Sequence, residues 1–252
     1  MSSRTILLTL LVLAVCLMPT NTSADVYELR TYTTNEGKLD HLNARFRDHT
    51  IRLFDKHGMT SVGYWVPSDK PQSENTLIYV LKHESRAAAK ASWQAFIADP
   101  DWKKVAKVSQ LDGQILAKAP ESVFMNAADY SPEFKADTTG DAAAFELRIY
   151  RTLEGRLKNL DARFRDHTIS LFAKHGIKSV AYWHPVEEPD SGDTLIYIIR
   201  HNSPDAAQAS WEAFRADPEW KKVAKASEID GKILRERPES TYMHATDYSA
   251  IK

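Results

Sequence analysis

The sequence predicts an α+β fold built from two tandem copies of one domain, each running strand, helix, strand, strand, helix, strand. Three observations predict it. Glu28-Leu-Arg-Thr-Tyr32, Ala44-Arg-Phe-Arg-Asp-His-Thr50 and Lys56-His-Gly58 recur as Glu146-Leu-Arg-Ile-Tyr150, Ala162-Arg-Phe-Arg-Asp-His-Thr168 and Lys174-His-Gly176, each 118 positions later, from 28 to 146, 44 to 162 and 56 to 174. That period is far longer than the roughly 20–50 residues of a solenoid unit, so the repeat is a whole domain. Within each copy, segments alternating with period two flank segments with apolar residues every three or four positions.

The chain divides into a leader over 1–24, a first domain over 25–131, a linker over 132–143 and a second domain over 144–252. The leader is Arg4 followed by the apolar run 6–18, the form of a secretory signal, with the small residues of Thr22-Ser-Ala24 before a cut ahead of Asp25. The run is short of the roughly 20 residues a membrane span needs. A secreted or periplasmic protein with no stable membrane span after processing is expected; an uncleaved anchor is the alternative. Cys16, the single cysteine, lies in this run. A chain cut after it has no thiol, which excludes disulfides, thiolate metal sites and cysteine nucleophiles.

Strand 26–32 alternates Tyr27, Leu29 and Thr31 on one face with Glu28, Arg30 and Tyr32 on the other. In the second copy Phe145, Leu147 and Ile149 make the first face wholly apolar. The spacing predicts a helix over 38–56, with Leu39, Leu42, Phe46, His49, Leu53 and His57 on one stripe and Gly58 as its C-cap. Leu157, Leu160, Phe164, His167, Leu171 and His175 repeat that stripe. Strands over 60–66 and 76–83, and over 178–183 and 194–201, are β-branched and aromatic, joined by Pro-containing polar loops. Ser85 and Ser203 cap the next helices, 87–98 in the first copy, which turns Trp93, Phe96 and Ile97 inward. A short helix follows Asp99-Pro-Asp-Trp102, and the last strands cover 122–127 and 241–245.

These residues resemble the NIPSNAP family over nearly the whole chain beyond the leader, in two copies. Tyr27-Glu-Leu-Arg-Thr-Tyr32, the Tyr64-Trp65 strand, Trp93 with Phe96, the Trp102 segment and Asp129-Tyr-Ser131 carry the resemblance. It implies ferredoxin-like domains of the dimeric α+β barrel superfamily, here with both halves in one chain and their antiparallel sheets face to face. It also implies that the face bearing Glu28, Arg30 and Tyr32 lies inside the barrel. Buried charges need partners, so Glu28 with Arg148 and Arg30 with Glu146 are expected to pair across the domains. Either this is a structural ion-pair network or Glu28, Arg30, Tyr32, Glu146, Arg148 and Tyr150 line a ligand cavity. Trp65 and Trp183 sit among small residues and leave room there for a flat ligand.

His49 and His167, each one turn after Arg45 or Arg163, are the catalytic candidates. A histidine near neutrality donates to a substrate or takes its proton; otherwise it is a core histidine bonded to backbone. His57 and His175 are expected as dipole partners at helix C-termini. No Gly-rich phosphate loop, nucleophile elbow or zinc motif occurs, so no cofactor and no metal are expected. The formal net charge of −1 gives no reason for a nucleic-acid partner. Two functions stay open. One is an exported binding or assembly module for a small molecule or protein, with homo-oligomerisation compatible. The other is a cofactor-free, monooxygenase-like enzyme acting on a small, aromatic molecule in a helix–sheet pocket.

Overall fold

The computed structural model describes residues 25–136 and 143–252. The leader expected over 1–24 and residues 137–142 of the expected linker lie outside the described residues. The first repeat runs β1 (Val26–Thr33), α1 (Leu39–Arg45), a π-helical turn (Phe46–Thr50), α2 (Ile51–Lys56), β2 (Thr60–Pro67), β3 (Thr76–His83), α3 (Arg86–Ala98), α4 (Pro100–Val108) and β4 (Glu121–Ala127). The second runs β5 (Ala144–Arg151), α5 (Leu157–Arg163), a π-helical turn (Phe164–Thr168), α6 (Ile169–Lys174), β6 (Lys178–Pro185), β7 (Thr194–His201), α7 (Pro204–Ala216), α8 (Pro218–Ser227) and β8 (Glu239–Ala245).

The eight strands close into one antiparallel barrel in the order β1-β3-β2-β8-β5-β7-β6-β4. Each repeat contributes four adjacent strands, and the two sets join edge to edge. The seams are short: Trp65 to Pro67 against Met243 to Ala245, and Met125 to Ala127 against Trp183 to Pro185. Closure removes the exposed edges that four-strand sheets would otherwise leave.

The apolar face of the alternating strands fills the barrel. Leu29, Val80, Met125, Phe145, Leu147 and Ile198 meet there with Trp65 and Trp183. This corrects the expectation that Glu28, Arg30 and Tyr32 point into the barrel. They face outward, under the helices, because a closed interior rewards the face that carries no charge. Trp65 and Trp183 are fully buried in the interior and leave no slot for a flat ligand. The ring of Trp65 folds back over Gly63, where an added Cβ would come within 2.4 Å of it. Trp183 packs against Tyr27 with ring centroids 5.7 Å apart.

The helix expected over 38–56 forms, but its stripe changes phase. At the π-helical turn the Ile51 N–H bonds the Phe46 carbonyl, and the Thr50 hydroxyl donates to the Arg45 carbonyl at 3.0 Å. The extra residue per turn puts Thr50, not His49, between Phe46 and Leu53 on the buried side. His49 and His167 are exposed. Phe46, Leu53 and Phe54 are almost wholly buried, each contributing on the order of 1.5–3 kcal/mol. Gly58 and Gly176 close these helices at φ +72 and +76. Ser85 and Ser203 cap α3 and α7, accepting from Ala88 N and Ala206 N. Ile97 differs from expectation: lying beside Phe96 rather than on its stripe, it is 59% exposed.

Beyond the last strand of each repeat, a short arm crosses to the other repeat. Tyr248 stacks on Phe46, Tyr130 stacks on Phe164, and Ser249 and Ser131 accept from the N–H groups of Tyr64 and Tyr182. Arg47 pairs with Asp247, and Arg165 with Asp129.

Candidate functional site between helix and sheet

The outward face of β1 places Glu28 under α3, and the carboxylate is saturated there. Oε1 accepts from Arg30 at 2.5 Å and Ser122 at 2.7 Å; Oε2 accepts from Trp93 Nε1 at 2.7 Å and His83 Nε2 at 3.1 Å. Burial favours the protonated acid, but His83, Arg30, Ser122 and Trp93 together outweigh it and hold the carboxyl at about 2. Glu146 repeats the arrangement. It pairs with Arg148, accepts from Trp211 Nε1 at 2.7 Å and Ser240 at 2.5 Å, and lies 3.5 Å from His201 Nε2. The cross-domain pairs expected between Glu28 and Arg148, and between Arg30 and Glu146, are therefore absent. Each carboxylate pairs within its own strand, two residues away, because both side chains leave the same face.

Arg30 lies over the Trp93 ring at 4.4 Å. Burial disfavours its charge, yet Tyr79, Tyr32 and Glu28 more than compensate and keep it protonated. Arg45 enters the same space from the end of α1. It is only 6% exposed; its Nη1 reaches Ser109 Oγ at 3.5 Å and its guanidinium sits 5.4 Å from the Trp102 ring. Among the described residues no carboxylate lies within ion-pair distance of it, its Nε has no partner, and burial lowers its pKa.

Between these groups opens a cavity of about 610 Å³, walled by Arg30, Tyr32, Arg45, Trp93, Phe96 and Trp102. The second repeat has a cavity of about 450 Å³ at Arg148, Tyr150, Trp211 and Trp220. Both fall in the range of small-molecule sites. The structure thus brings Arg30, Tyr32 and Arg45 together, with Glu28 behind them. His49 and His167 are kept out. They line separate outer grooves between α1 and α4, and between α5 and α8. His57 and His175 end their helices as expected and donate to Asp99 and Asp217, both at 2.7 Å.

Sequence reading missed Trp93, Trp102, His83 and Ser122 as parts of this site. The helical spacing turns Trp93 inward as a core residue, yet an indole N–H buried with its ring needs an acceptor. Glu28 is the acceptor for Trp93. Chemically the site suits binding: Glu28 is ionised and fully engaged, and burial pushes the Tyr79 hydroxyl far above the range in which it ionises. Among the described residues no group of three metal-capable side chains forms, and no helix is long and apolar enough to cross a membrane.

The fold is similar to that of a candidate monooxygenase from Fusobacterium nucleatum, at TM-score 0.57 and 10% identity over 88% of this chain and 93% of that one. A candidate monooxygenase from Lactobacillus acidophilus gives TM-score 0.58 and 10% identity over 88% and 94%. An anthrone oxidase-like protein gives 0.56 and 15% over 90% and 94%. At these identities the likeness is one of fold. No curated protein matches the chain significantly. The NIPSNAP family profile matches residues 27–132 and again 145–250. With both copies matched over most of its length, the chain belongs to the NIPSNAP family as a tandem of two such domains.

Proposed function

We propose that this chain is an exported binding protein whose helix–sheet pockets take a small aromatic molecule. The 610 Å³ cavity walled by Tyr32, Trp93, Phe96 and Trp102 carries the reading. Flat rings stack on such walls, and the guanidinium groups of Arg30 and Arg45 on the same wall add cation–π contact. Apolar side chains pack the middle of the barrel. The cavity of about 510 Å³ at Thr31, Ile78, Leu147 and Ile149 has no tryptophan on its wall. Both observations support the helix–sheet pocket as the place where a flat ring sits. Titration of 2-naphthol, followed by quenching of tryptophan fluorescence, tests it. Saturable quenching that Trp102→Ala weakens supports the pocket, and quenching unchanged in that variant sinks it. Export rests on Arg4 and the apolar run 6–18. N-terminal sequencing of protein from its native host should find Asp25 first.

A second reading, turnover of the bound molecule by a cofactor-free monooxygenase-like reaction, is supported by the descriptions of three neighbours of the same fold. Fold analogy alone is weak warrant for a reaction. Oxygen uptake by purified protein with an aromatic phenol is its measurement, and none above background argues for binding alone. Each half is also read as ferredoxin-like, a reading supported by the strand order β4-β1-β3-β2 within the first repeat.

A further inference from the structure

The two pockets are built from equivalent positions 118 apart, and they differ where charge matters. Among the described residues, the cavity wall that Arg45 shares carries no acid: its other cations are Arg30 and Lys118, and its uncharged polar residues include Gln110 and Gln114. The places equivalent to Gln110 and Gln114 in the second repeat hold Glu228 and Lys232. Glu228 brings a negative charge to bear on Arg163, while no acid acts on Arg45 in the same way. The mouths differ as well. Ile97 and Ala119 in the first repeat become Arg215 and Arg237 in the second. The first cavity reaches Arg45, whereas the smaller second one stops short of Arg163.

A buried guanidinium without an anion is an incomplete arrangement, since removing a charge from water is costly unless it is paired. Arg30 is already engaged by Glu28 and Lys118 by Glu121, so Arg45 is the cation in the cavity left for a ligand. A carboxylate matches the fork of a guanidinium with two parallel hydrogen bonds. An aromatic body attached to it would lie along Trp102 and Tyr32, within a mouth that Ile97 keeps apolar. A second negative charge would meet no further unpaired cation inside.

We propose that the first-repeat pocket is the selective site of this chain, that its ligand is a planar aromatic monocarboxylate completing Arg45, and that each chain binds one such ligand. This rests on the pocket reading above and adds its charge, its repeat and its stoichiometry. Arg215 and Arg237 at the second mouth are exposed, so their pull on an anion is screened within about 8 Å at physiological salt.

Calorimetric titration of the whole chain with 1-naphthoate and with neutral 2-naphthol, at physiological and at high salt, tests it. The expected result is one naphthoate per chain, bound more tightly than naphthol and little weakened by salt. Arg45→Gln should weaken naphthoate about 30-fold or more, the effect of removing one partner of a buried charge pair, and weaken naphthol far less. Arg163→Gln should leave both unchanged. Gln110→Glu, an exposed change that copies the second repeat, should weaken naphthoate alone and serves if Arg45→Gln does not fold. Two equivalent naphthoate sites, equal affinity for both probes, or naphthoate binding lost in Arg163→Gln would each overturn the proposal. So would no saturable naphthoate binding up to about 1 mM. If naphthol still binds in a manner sensitive to Trp102→Ala, only the charge selectivity fails; if neither probe responds to that variant, the pocket reading fails too.

Discussion

Tyr248 donates its hydroxyl hydrogen to Asn43 Oδ1 at 2.8 Å, across the boundary between the repeats and 205 positions back along the chain. Tyr130 makes the reciprocal bond to Asp161 at 2.7 Å. The two bonds are equivalent by position but not by chemistry, one acceptor being neutral and the other ionised. Tyr248→Phe is expected to cost about 1 kcal/mol, and Tyr130→Phe about 1.5–3 kcal/mol, because hydrogen bonds to charged groups are the stronger. Urea denaturation of both variants gives the comparison; equal losses would mean that the charge on Asp161 adds nothing.

Residues 25–136 expressed alone keep two unpaired edges, β2 and β4, and the apolar inner face of a half barrel. Self-association into a dimer that restores both seams is the expected outcome. Sedimentation at several concentrations decides it, and a folded monomer would show that the seams contribute little.

Acid should weaken the fold through Glu28 and Glu146. Both carboxyls are depressed from 4.5 to about 2 in the folded protein, so their stabilisation is present above pH 4.5 and is lost as pH falls towards 2. Each contributes about 3 kcal/mol over that window. Glu28→Gln, which leaves Arg30 buried without its partner, should cost about 3–5 kcal/mol at neutral pH and flatten the acid dependence. A wild-type stability unchanged between pH 5 and pH 3 would contradict this account.

His49→Ala and His167→Ala remove exposed side chains and should each change stability by less than about 0.5 kcal/mol. A loss of several times that in thermal unfolding would return them to the buried stripe.

His184 has the opposite pH sense to a stabilising cation. Burial lowers its pKa below 6.5, although Asp161, 3.2 Å from its Nε2, works against the shift. It therefore stabilises the fold above pH 6.5 and costs stability as pH falls through that value. Replacing it by the residue of the first repeat, His184→Val, should raise stability at pH 5 relative to pH 8. An equal effect at the two values would remove titration as the cause.

Most strands were legible to within two residues, because alternation and β-branched runs are local properties that the barrel did not override. The position of Ile97 and the phase of the first helix were not. A period of 3.6 places His49 between Phe46 and Leu53, and a turn closed by Thr50 onto the Arg45 carbonyl breaks that count. The trace of it in the sequence was the adjacent pair Leu53 and Phe54, which one regular stripe does not bury together. Alternation on β1 separated Glu28, Arg30 and Tyr32 from Leu29 correctly but does not say which face turns inward. That depended on helices supplying Trp93, whose indole N–H needs an acceptor, from a segment 65 positions away. Arg45 was singled out as a companion of His49. That no carboxylate among the described residues comes within ion-pair distance of it is a property of the packed molecule and of no local pattern.

Since one polypeptide carries both halves of the barrel, a given place can hold different residues on its two sides. In a homodimer of a single repeat every substitution would appear twice, and an acid set beside one guanidinium would be set beside both. Here Gln110 stands opposite Glu228, and Asn43 opposite Asp161. Covalent fusion thereby converts a two-fold object into one with a front and a back. Any molecule that docks on it meets a single orientation instead of two interchangeable ones.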